Sequence, residues 1–196
     1  ISAIDDYTNA IELDKTDANL FNYRGVARYN TSNFPEAIAD YDQAIKLDPK
    51  DPLKYENRAL AKTAKEDLKG ALEDYNKSIE LASDAETLNL RGVLKHTMTD
   101  YEGAIADYTK AIELDDTNPT YFDNRALSRS EKEDYAGAVE DYSTSIELYP
   151  NDAETYFQRA LVKLVMNNNY DGCLDLKRAE ELGSPDAKAA IKKNCK

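Results

Sequence analysis

One stretch of this chain recurs at a fixed interval, and this repetition limits the fold more than any other sequence feature. The stretch from Tyr101 to Leu114 carries a tyrosine, Tyr108, near its middle. Equivalent tyrosines stand at Tyr7, Tyr41, Tyr75 and Tyr142, so successive copies lie 34, 34, 33 and 34 residues apart. Such a period predicts an array of equal units, each packed on its neighbours.

Each period contains two amphipathic helices. In the recurring stretch, which we call helix B, apolar or small residues fall on one helical face: Ala104, Ile105, Tyr108, Ala111, Ile112 and Leu114. A second apolar-periodic segment, helix A, lies between copies, as in Thr87–Thr97. Prolines follow helix B at Pro49, Pro52, Pro119 and Pro150, where proline ends one helix or begins the next. The pattern predicts an all-α chain of helical hairpins.

The period also predicts the boundaries of the units. Five units are expected, at 18–51, 52–84, 85–118, 119–152 and 153–186, preceded by an orphan helix B at 1–17 and followed by a capping helix at 187–196. The orphan helix has no helix A of its own, so we expect the native protein to continue upstream of Ile1. Tyr135 and Tyr170 are 35 residues apart, which predicts one extra residue within Asn167–Asn169.

Composition limits the classes of partner. A net charge of −13 and a pI near 4.6 argue against nucleic acid, whose phosphates this surface repels. No apolar run approaches the roughly 20 residues of a membrane span, so we expect no membrane insertion. A basic or apolar peptide suits the surface better, although the charge also has the simpler role of keeping an elongated protein in solution. One histidine, His96, excludes a multi-histidine metal site.

Small residues recur at three positions, counted from the first residue of each unit. They occupy position 8 (Gly25, Ala59, Gly92, Ala126, Ala160), position 20 (Ala37, Ala71, Ala104, Ala138) and position 27 (Ala44, Ser78, Ala111, Ser145, Ala179). Together with the 34-residue period, this pattern resembles the tetratricopeptide repeat (TPR) family, in a bacterial-type array, over essentially the whole chain. The resemblance implies a right-handed α-solenoid whose concave face is built mainly by the A helices. It also implies a groove that holds a peptide or a helix of a protein partner.

The chain departs from the common TPR pattern at two paired positions. Position 7, usually leucine in the family, is arginine in every unit: Arg24, Arg58, Arg91, Arg125 and Arg159. Position 23 is aspartate: Asp6, Asp40, Asp74, Asp107, Asp141 and Asp175. Antiparallel packing of helices A and B puts these positions at nearly the same height. We therefore expect a structural ladder of Arg–Asp ion pairs, the alternative being arginines that face a ligand carboxylate.

Position 11 is the second departure from the family, which usually has an aromatic residue there. This chain has a basic residue instead: Arg28, Lys62, Lys95, Arg129 and Lys163. One interpretation is a cationic stripe for an acidic partner. The other, which we prefer, is that the stems pack over neighbouring helices while the charges reach water beside the carboxylates.

The helix A positions that face the concave side supply the candidate binding residues. They are Asn22, Val26, Tyr29, Asn57, Leu60, Asn89, Val93, His96, Asn124, Leu127, Phe157, Gln158 and Leu161. Chaperone-binding TPR proteins carry Lys and Asn at positions 5 and 9 of their first clamp repeat, and no unit here has both. A clamp for a chaperone C-terminal carboxylate is therefore not expected. We interpret His96 as a solvated groove residue, because no Ser or Cys nucleophile is evident beside it.

The two cysteines, Cys173 and Cys195, stand at about equal distances from the reversal at Gly183–Pro185. Two antiparallel helices would bring their sulfurs to the same height, so a disulfide is geometrically plausible. The alternative is a pair of buried thiols that act as small core residues. A disulfide would indicate a periplasmic or secreted protein, and free thiols a cytoplasmic one.

The function that the sequence favours is protein binding. The leading hypothesis is a non-enzymatic adaptor that holds a segment of another protein in its groove. A second hypothesis is an architectural or self-associating spacer that assembles through its N-terminal edge. No phosphate loop, metal-ligand cluster or nucleophile–base pair stands out, so we expect no catalytic residue, metal or cofactor.

Overall fold

The computed structural model describes residues 3–195, and these residues form twelve helices and no strand. The helices are α1 (Ala3–Leu13), α2 (Ala18–Asn30), α3 (Phe34–Leu47), α4 (Pro52–Ala64), α5 (Leu68–Leu81), α6 (Ala85–Thr97), α7 (Tyr101–Leu114), α8 (Pro119–Glu131), α9 (Tyr135–Leu148), α10 (Ala153–Val165), α11 (Asn169–Glu181) and α12 (Ala187–Asn194). The predicted all-α class is confirmed. The expected orphan helix and capping helix contain α1 and α12, while Ile1, Ser2 and Lys196 lie outside the described residues.

The chain forms two compact units that divide after Leu94, within α6. We call residues up to Leu94 the N-terminal unit and residues from Lys95 the C-terminal unit. Within the described residues, no helix combines the length and apolar character that a membrane span requires.

Short polar residues set the first turn of most helices. Asp51 is the N-cap of α4, where its side chain accepts a hydrogen bond from the backbone N–H of Leu53, and Pro52 occupies the first turn. Asp152 caps α10 in the same way through Glu154 N–H. The A helices therefore begin at sequence-encoded caps.

The turn from helix A to helix B contains one left-handed residue in each hairpin. The residues are Ser32, Glu66, Thr99, Glu133 and Asn167, with φ between 60° and 64°. None of them is glycine, so each side chain is held in a backbone region that L-residues disfavour. This turn recurs with the period of the sequence.

The N-terminal unit is built around buried tyrosines and small residues. Tyr41 packs with Ala37 and Ala61 in one cluster. A Cβ added at Gly25 would stand 2.6 Å from the Tyr41 ring, so any larger residue at this position would require the ring to shift. The small residue of position 8 thus makes room for a buried aromatic ring.

The C-terminal unit repeats this construction. Tyr142 is buried with Ala126, Ala138 and Val162, which come from α8, α9 and α10. Because three successive helices contribute to one cluster, the core continues from the α8–α9 hairpin into α10. Helix α12 then packs on α11 at the end of the array.

The last hairpin keeps the register of the others, and the expected insertion within Asn167–Asn169 is wrong. Helix α10 begins at Ala153 and α11 at Asn169, the same offset that separates Pro119 from Tyr135. Asn169 therefore takes the place of the earlier aromatic residue. Tyr170 follows it as an exposed side chain and is not the equivalent of Tyr135.

Candidate partner-binding surface

The position-7 arginines contact the position-23 aspartates between the two helices of a hairpin. The nitrogen–oxygen distances are 2.7 Å for Arg24–Asp40, 2.6 Å for Arg58–Asp74, 2.7 Å for Arg125–Asp141 and 2.7 Å for Arg159–Asp175. In each of these pairs Nε also donates to the carboxylate, so the guanidinium presents two N–H groups. Asp6 is exposed, and no ion-pair partner for it appears within residues 3–195.

The same arginines also contact the preceding helix B. Nη1 donates to Thr8 from Arg24 (3.3 Å), Asp42 from Arg58 (2.7 Å), Asn76 from Arg91 (2.8 Å), Thr109 from Arg125 (3.1 Å) and Ser143 from Arg159 (2.9 Å). In addition, four of the guanidinium groups lie 5.6–5.8 Å from the centre of the position-4 aromatic ring on their own helix. Each of the five arginines therefore contacts the helix B that precedes its own helix.

The basic residues of position 11 end on the same aspartates. The distances are 2.7 Å for Arg28–Asp40, 2.8 Å for Lys62–Asp74, 2.7 Å for Lys95–Asp107, 2.8 Å for Arg129–Asp141 and 2.7 Å for Lys163–Asp175. Each of these carboxylates therefore receives a position-11 cation inside its own hairpin. The charged groups of position 11 are therefore paired with buried aspartates. They neither point only to water nor form an unpaired cationic stripe for an acidic partner.

The groove residues of the N-terminal unit combine amides with partly exposed apolar side chains. Asn22 is buried and accepts a hydrogen bond of 3.0 Å from Asn57 Nδ2, which joins α2 to α4. Val26 and Tyr29 are half-buried against the Tyr41 cluster. Leu60 is half-buried, Asn89 is buried and Val93 is exposed. In this unit, the helix A face offers apolar contact area beside an ordered amide pair.

The groove residues of the C-terminal unit are more exposed. Leu127 and Leu161 keep 39% and 36% of their surface accessible, although both are leucines in the middle of a helix. Asn124, Phe157 and Gln158 are half-buried around them. These side chains lie on α8 and α10 and leave an apolar surface framed by amides.

His96 has a neighbour that the sequence did not reveal. Its Nδ1 lies 2.8 Å from Ser128 Oγ, and its ring meets that of Tyr101 at 5.1 Å between centroids. The expectation that no serine lies beside His96 is therefore wrong, while the ring itself is half-buried. Ser128 is fully buried, however, so no substrate can reach its hydroxyl. The pair is a packed hydrogen bond between α6 and α8.

A cavity of about 180 Å³ lies between α8 and α10. Its lining residues are Asp123, Asn124, Leu127, Tyr142, Asp152, Glu154, Thr155 and Gln158. Three of these are predicted groove residues, and Asp123 occupies position 5, which is predicted to face the concave side; the other four were missed as candidates. For Asp123 the sequence signal is the acidic residue at position 5, which is Glu56 and Asp123 in the second and fourth units but asparagine in the first and third.

One hydroxyl group lies between two carboxylates at this cavity. Thr155 Oγ1 is 2.8 Å from Asp152 Oδ2 and 3.2 Å from Asp123 Oδ2. Asp123 Oδ1 is buried and has no hydrogen-bond partner among the described residues. Burial raises the pKa of Asp123 to about 6, against the opposing effect of the Ser145 and Thr155 hydroxyls and with added repulsion from Asp152 and Asp141.

The N-terminal unit contains the same arrangement. Thr87 Oγ1 is 2.5 Å from Glu56 Oε2 and 2.6 Å from Asp84 Oδ2. Burial is the main reason that the pKa of Glu56 lies above its ordinary value; the Thr87 hydrogen bond opposes this shift, and the charges of Asp84 and Glu86 add to it. An acid–threonine–acid cluster thus occurs once in each unit.

A disulfide joins Cys173 on α11 to Cys195, the residue that ends α12, with 5.8 Å between their Cα atoms. The alternative of two buried thiols therefore does not describe this structure. The bond attaches the terminal helix to the array covalently. Within the described residues, no group of three or more His, Cys, Asp or Glu side chains is arranged to hold a metal ion.

The alternating helices and their shared cores define the class of protein: an all-α helical-repeat solenoid. Residues 18–51 and residues 85–118 each match a model of the tetratricopeptide repeat. The chain therefore contains repeats of the tetratricopeptide-repeat family, matched over 68 of its 196 residues. As in that family generally, the fold is a scaffold for protein–protein interaction. A search of curated protein sequences gives no match.

Several solved structures share the fold. YrrB, described as a TPR protein with an unusual peptide-binding site, has a TM-score of 0.82 and 18% identity, over 97% of this chain and 100% of that chain. MamA gives 0.80 and 19% identity, over 87% and 94% of the two chains. The C-terminal part of a TPR repeat-containing protein from Cytophaga hutchinsonii gives 0.82 and 16%, over 98% and 77%. At sequence identities this low, the matches establish similarity of fold alone.

Proposed function

We propose that this protein is a non-enzymatic adaptor whose A helices bind an extended segment or a helix of a partner protein. The observation that carries the proposal is the exposure of one apolar side chain near the middle of successive A helices. Val93, Leu127 and Leu161 are 42%, 39% and 36% exposed. Exposure of these apolar side chains to water is unfavourable. Contact with a partner would bury them.

Side-chain amides beside these residues support the same role. Asn57 and Asn124 occupy position 6 in their units, and Gln158 occupies it in the last. Amides both donate and accept hydrogen bonds, so they pair with the backbone of an extended segment without requiring a particular partner sequence. The division into five binding units, 18–51 to 153–186, is part of this proposal. YrrB, whose description names a peptide-binding site, supports it by similarity of fold.

Capture of partners from the source cell tests the proposal. The intact chain serves as bait beside a Leu127→Glu/Leu161→Glu variant, which places two carboxylates on the apolar surface. The matched control is Leu174→Glu, because Leu174 is also an exposed leucine but lies on helix B. We expect the groove variant to lose a protein that the wild type and the control both retain. Equal capture by all three baits would contradict binding along the A helices.

Self-association is the second candidate, and exposed apolar side chains at the first two helices favour it. Leu13 at the end of α1 is 91% exposed, and the exposed Tyr23 of α2 lies with its ring centroid 5.9 Å from that of Tyr7. Light scattering on a concentration series separates the candidates. Assembly that Leu13→Ser abolishes would support the spacer function, whereas a monomer at all concentrations would support the adaptor.

We also propose that the protein works in an oxidising compartment, periplasmic or extracellular. The disulfide between Cys173 and Cys195 supports this location, because cytosolic reductants keep most thiols reduced. Titration of thiols in unfolded, unreduced protein from the native source provides the test. Two free thiols would indicate the cytoplasm instead.

A further inference from the structure

The size and the lining of the cavity between α8 and α10 indicate which kind of side chain of a bound segment it could receive. Its volume of about 180 Å³ equals that of roughly six water molecules. This is room for one long side chain and not for a helix. Leu127 gives the cavity an apolar wall, and most of the other lining residues carry carboxylates or amides.

The charge of the lining is of one sign. Asp123, Asp152 and Glu154 contribute carboxyl groups, and the eight described lining residues include no Lys, Arg or His. Gln158 Nε2 donates to Glu154 Oε1 at 2.6 Å and so satisfies part of one carboxylate. Asp152 accepts hydrogen bonds from Glu154 N–H and from the Thr155 hydroxyl, so the carboxylate that still lacks a donor is Asp123.

Asp123 is the carboxyl group with the largest unmet demand. Its Oδ1 is buried without a hydrogen-bond partner in the described residues. Its Oδ2 shares the Thr155 hydroxyl with Asp152, and a hydroxyl has only one hydrogen to donate. A buried carboxylate oxygen that lacks a donor is unfavourable, so an incoming cationic donor would stabilise this arrangement.

We propose that the cavity receives the guanidinium group of an arginine from the bound partner segment. Asp123 and Asp152 accept its N–H groups, while Leu127 contacts its aliphatic stem. A guanidinium carries five donors in one plane and can satisfy two carboxylates together, which a single ammonium does less well. The net charge of −13 draws basic segments toward the protein as a whole. The inference rests on the proposed function, because the arginine belongs to the segment held along the A helices.

The arginine competes with a proton at Asp123, so its binding depends on pH. The groups that face Asp123 are Asp141 on α9 and Asp152 before α10, together with the hydroxyls of Ser145 and Thr155. Asp141 is already paired with Arg125 and Arg129. Raising the pH through the pKa of Asp123, about 6, removes its proton and exposes the charge that the guanidinium binds. Affinity for arginine therefore rises over this interval.

A matched pair of peptides tests the inference on the full chain. One is a fluorescein-labelled, end-blocked hexapeptide with leucine followed by arginine at its centre, and the other replaces that arginine by neutral citrulline. At about pH 7.5 we expect the arginine peptide to bind about tenfold tighter, the factor that one charge-assisted hydrogen bond supplies. The Asp123→Asn variant should lose that difference. Glu140→Gln removes an exposed charge outside the cavity and should retain it within about twofold.

The outcomes separate this inference from the proposed function. Equal binding of the two peptides, abolished for both by Leu127→Glu, would overturn the arginine site and leave the groove in place. Failure of the arginine peptide to bind at about 1 mM would also overturn it. The partner-capture experiment with the Leu127→Glu/Leu161→Glu variant would then test independently whether the A helices bind a partner. An arginine preference that Asp123→Asn leaves unchanged would place the recognition elsewhere.

Discussion

Arg125 and Asp141 meet through two nitrogen–oxygen pairs, Nη2 to Oδ1 at 2.7 Å and Nε to Oδ2 at 2.9 Å, although sixteen residues separate them in the chain. Asp141 also receives Arg129, while Arg125 reaches back to Thr109 on the preceding helix B. A single guanidinium thus contacts one helix before and one helix after its own. Substitution of Arg125 therefore tests how much these contacts between helices contribute to the stability of the array.

We expect Arg125→Ala to lower the free energy of unfolding by about 3 kcal/mol, because it leaves the buried Asp141 with one cation where it had two. Lys132→Ala removes an exposed ion pair with Glu102 and should leave the melting temperature nearly unchanged. Denaturant unfolding of the three proteins measures the difference. Full stability in Arg125→Ala, or loss of partner binding in a folded Arg125→Ala protein, would contradict the structural assignment.

Asp123 makes stability depend on pH in an unusual direction. Its pKa is about 6 in the folded protein and about 4 in an unfolded chain. The folded state therefore binds more protons between these values, and stability falls as the pH rises through them. We expect Asp123→Asn to be more stable than the wild type above about pH 6.5 by roughly 1–2 kcal/mol, after allowance for solvent screening, and equal to it below about pH 3.5. Thermal unfolding across this range measures the effect, and parallel profiles for the two proteins would refute it.

The disulfide should stabilise the end of the array. It closes a loop of 22 residues, which restricts the unfolded chain by about 3 kcal/mol at room temperature. The Cys173→Ser/Cys195→Ser variant should have a free energy of unfolding that is lower by that amount. It should therefore unfold at a lower denaturant concentration. Reductant should shift the wild type to the same midpoint and leave the variant unaffected. A shift of the variant by reductant would mean that the effect has another origin.

The left-handed turn residues offer a gain in stability. Glu133 has a φ of 62° and is exposed, so glycine at this position relieves backbone strain of about 1–2 kcal/mol. Glycine also increases the freedom of the unfolded chain, which leaves a net gain of about 0.5 kcal/mol for Glu133→Gly. Lys132→Gly, at a residue with φ of −89°, should be destabilising. Equal effects of the two substitutions on the unfolding midpoint would be inconsistent with strain at Glu133.

The fold was predictable because its determinants are local and repeated. The spacing of Tyr41, Tyr75, Tyr108 and Tyr142 reports the packing of identical hairpins, and all four side chains are buried. The expected insertion at Asn167–Asn169 is absent because Tyr170 is not the equivalent of Tyr135. An exposed tyrosine one residue into helix B resembles the repeated aromatic residue in sequence but not in environment.

The cavity and the His96–Ser128 contact were not predictable in this way. Both join a residue of one hairpin to a residue of the next, Asp123 to Thr155 and His96 to Ser128, at separations of 32 residues. The repeat period gives equivalent positions in successive hairpins, but it does not say which different positions meet across the joint. That information depends on the packing of helices, which sequence periodicity does not contain.

The contacts of the arginines have a consequence for how the length of this protein can change in evolution. The forward contact to aspartate lies inside one hairpin, so an inserted or deleted residue there would misalign it. The backward contact spans the linker between hairpins, and it is kept at 2.8 Å between Arg91 and Asn76, where the separation is 15 residues and not 16. A linker such as 82–84 can therefore lose one residue without loss of the backward contact. Duplication of a whole unit, in contrast, reproduces both contacts, which allows the gene to lengthen without any new joint between repeats.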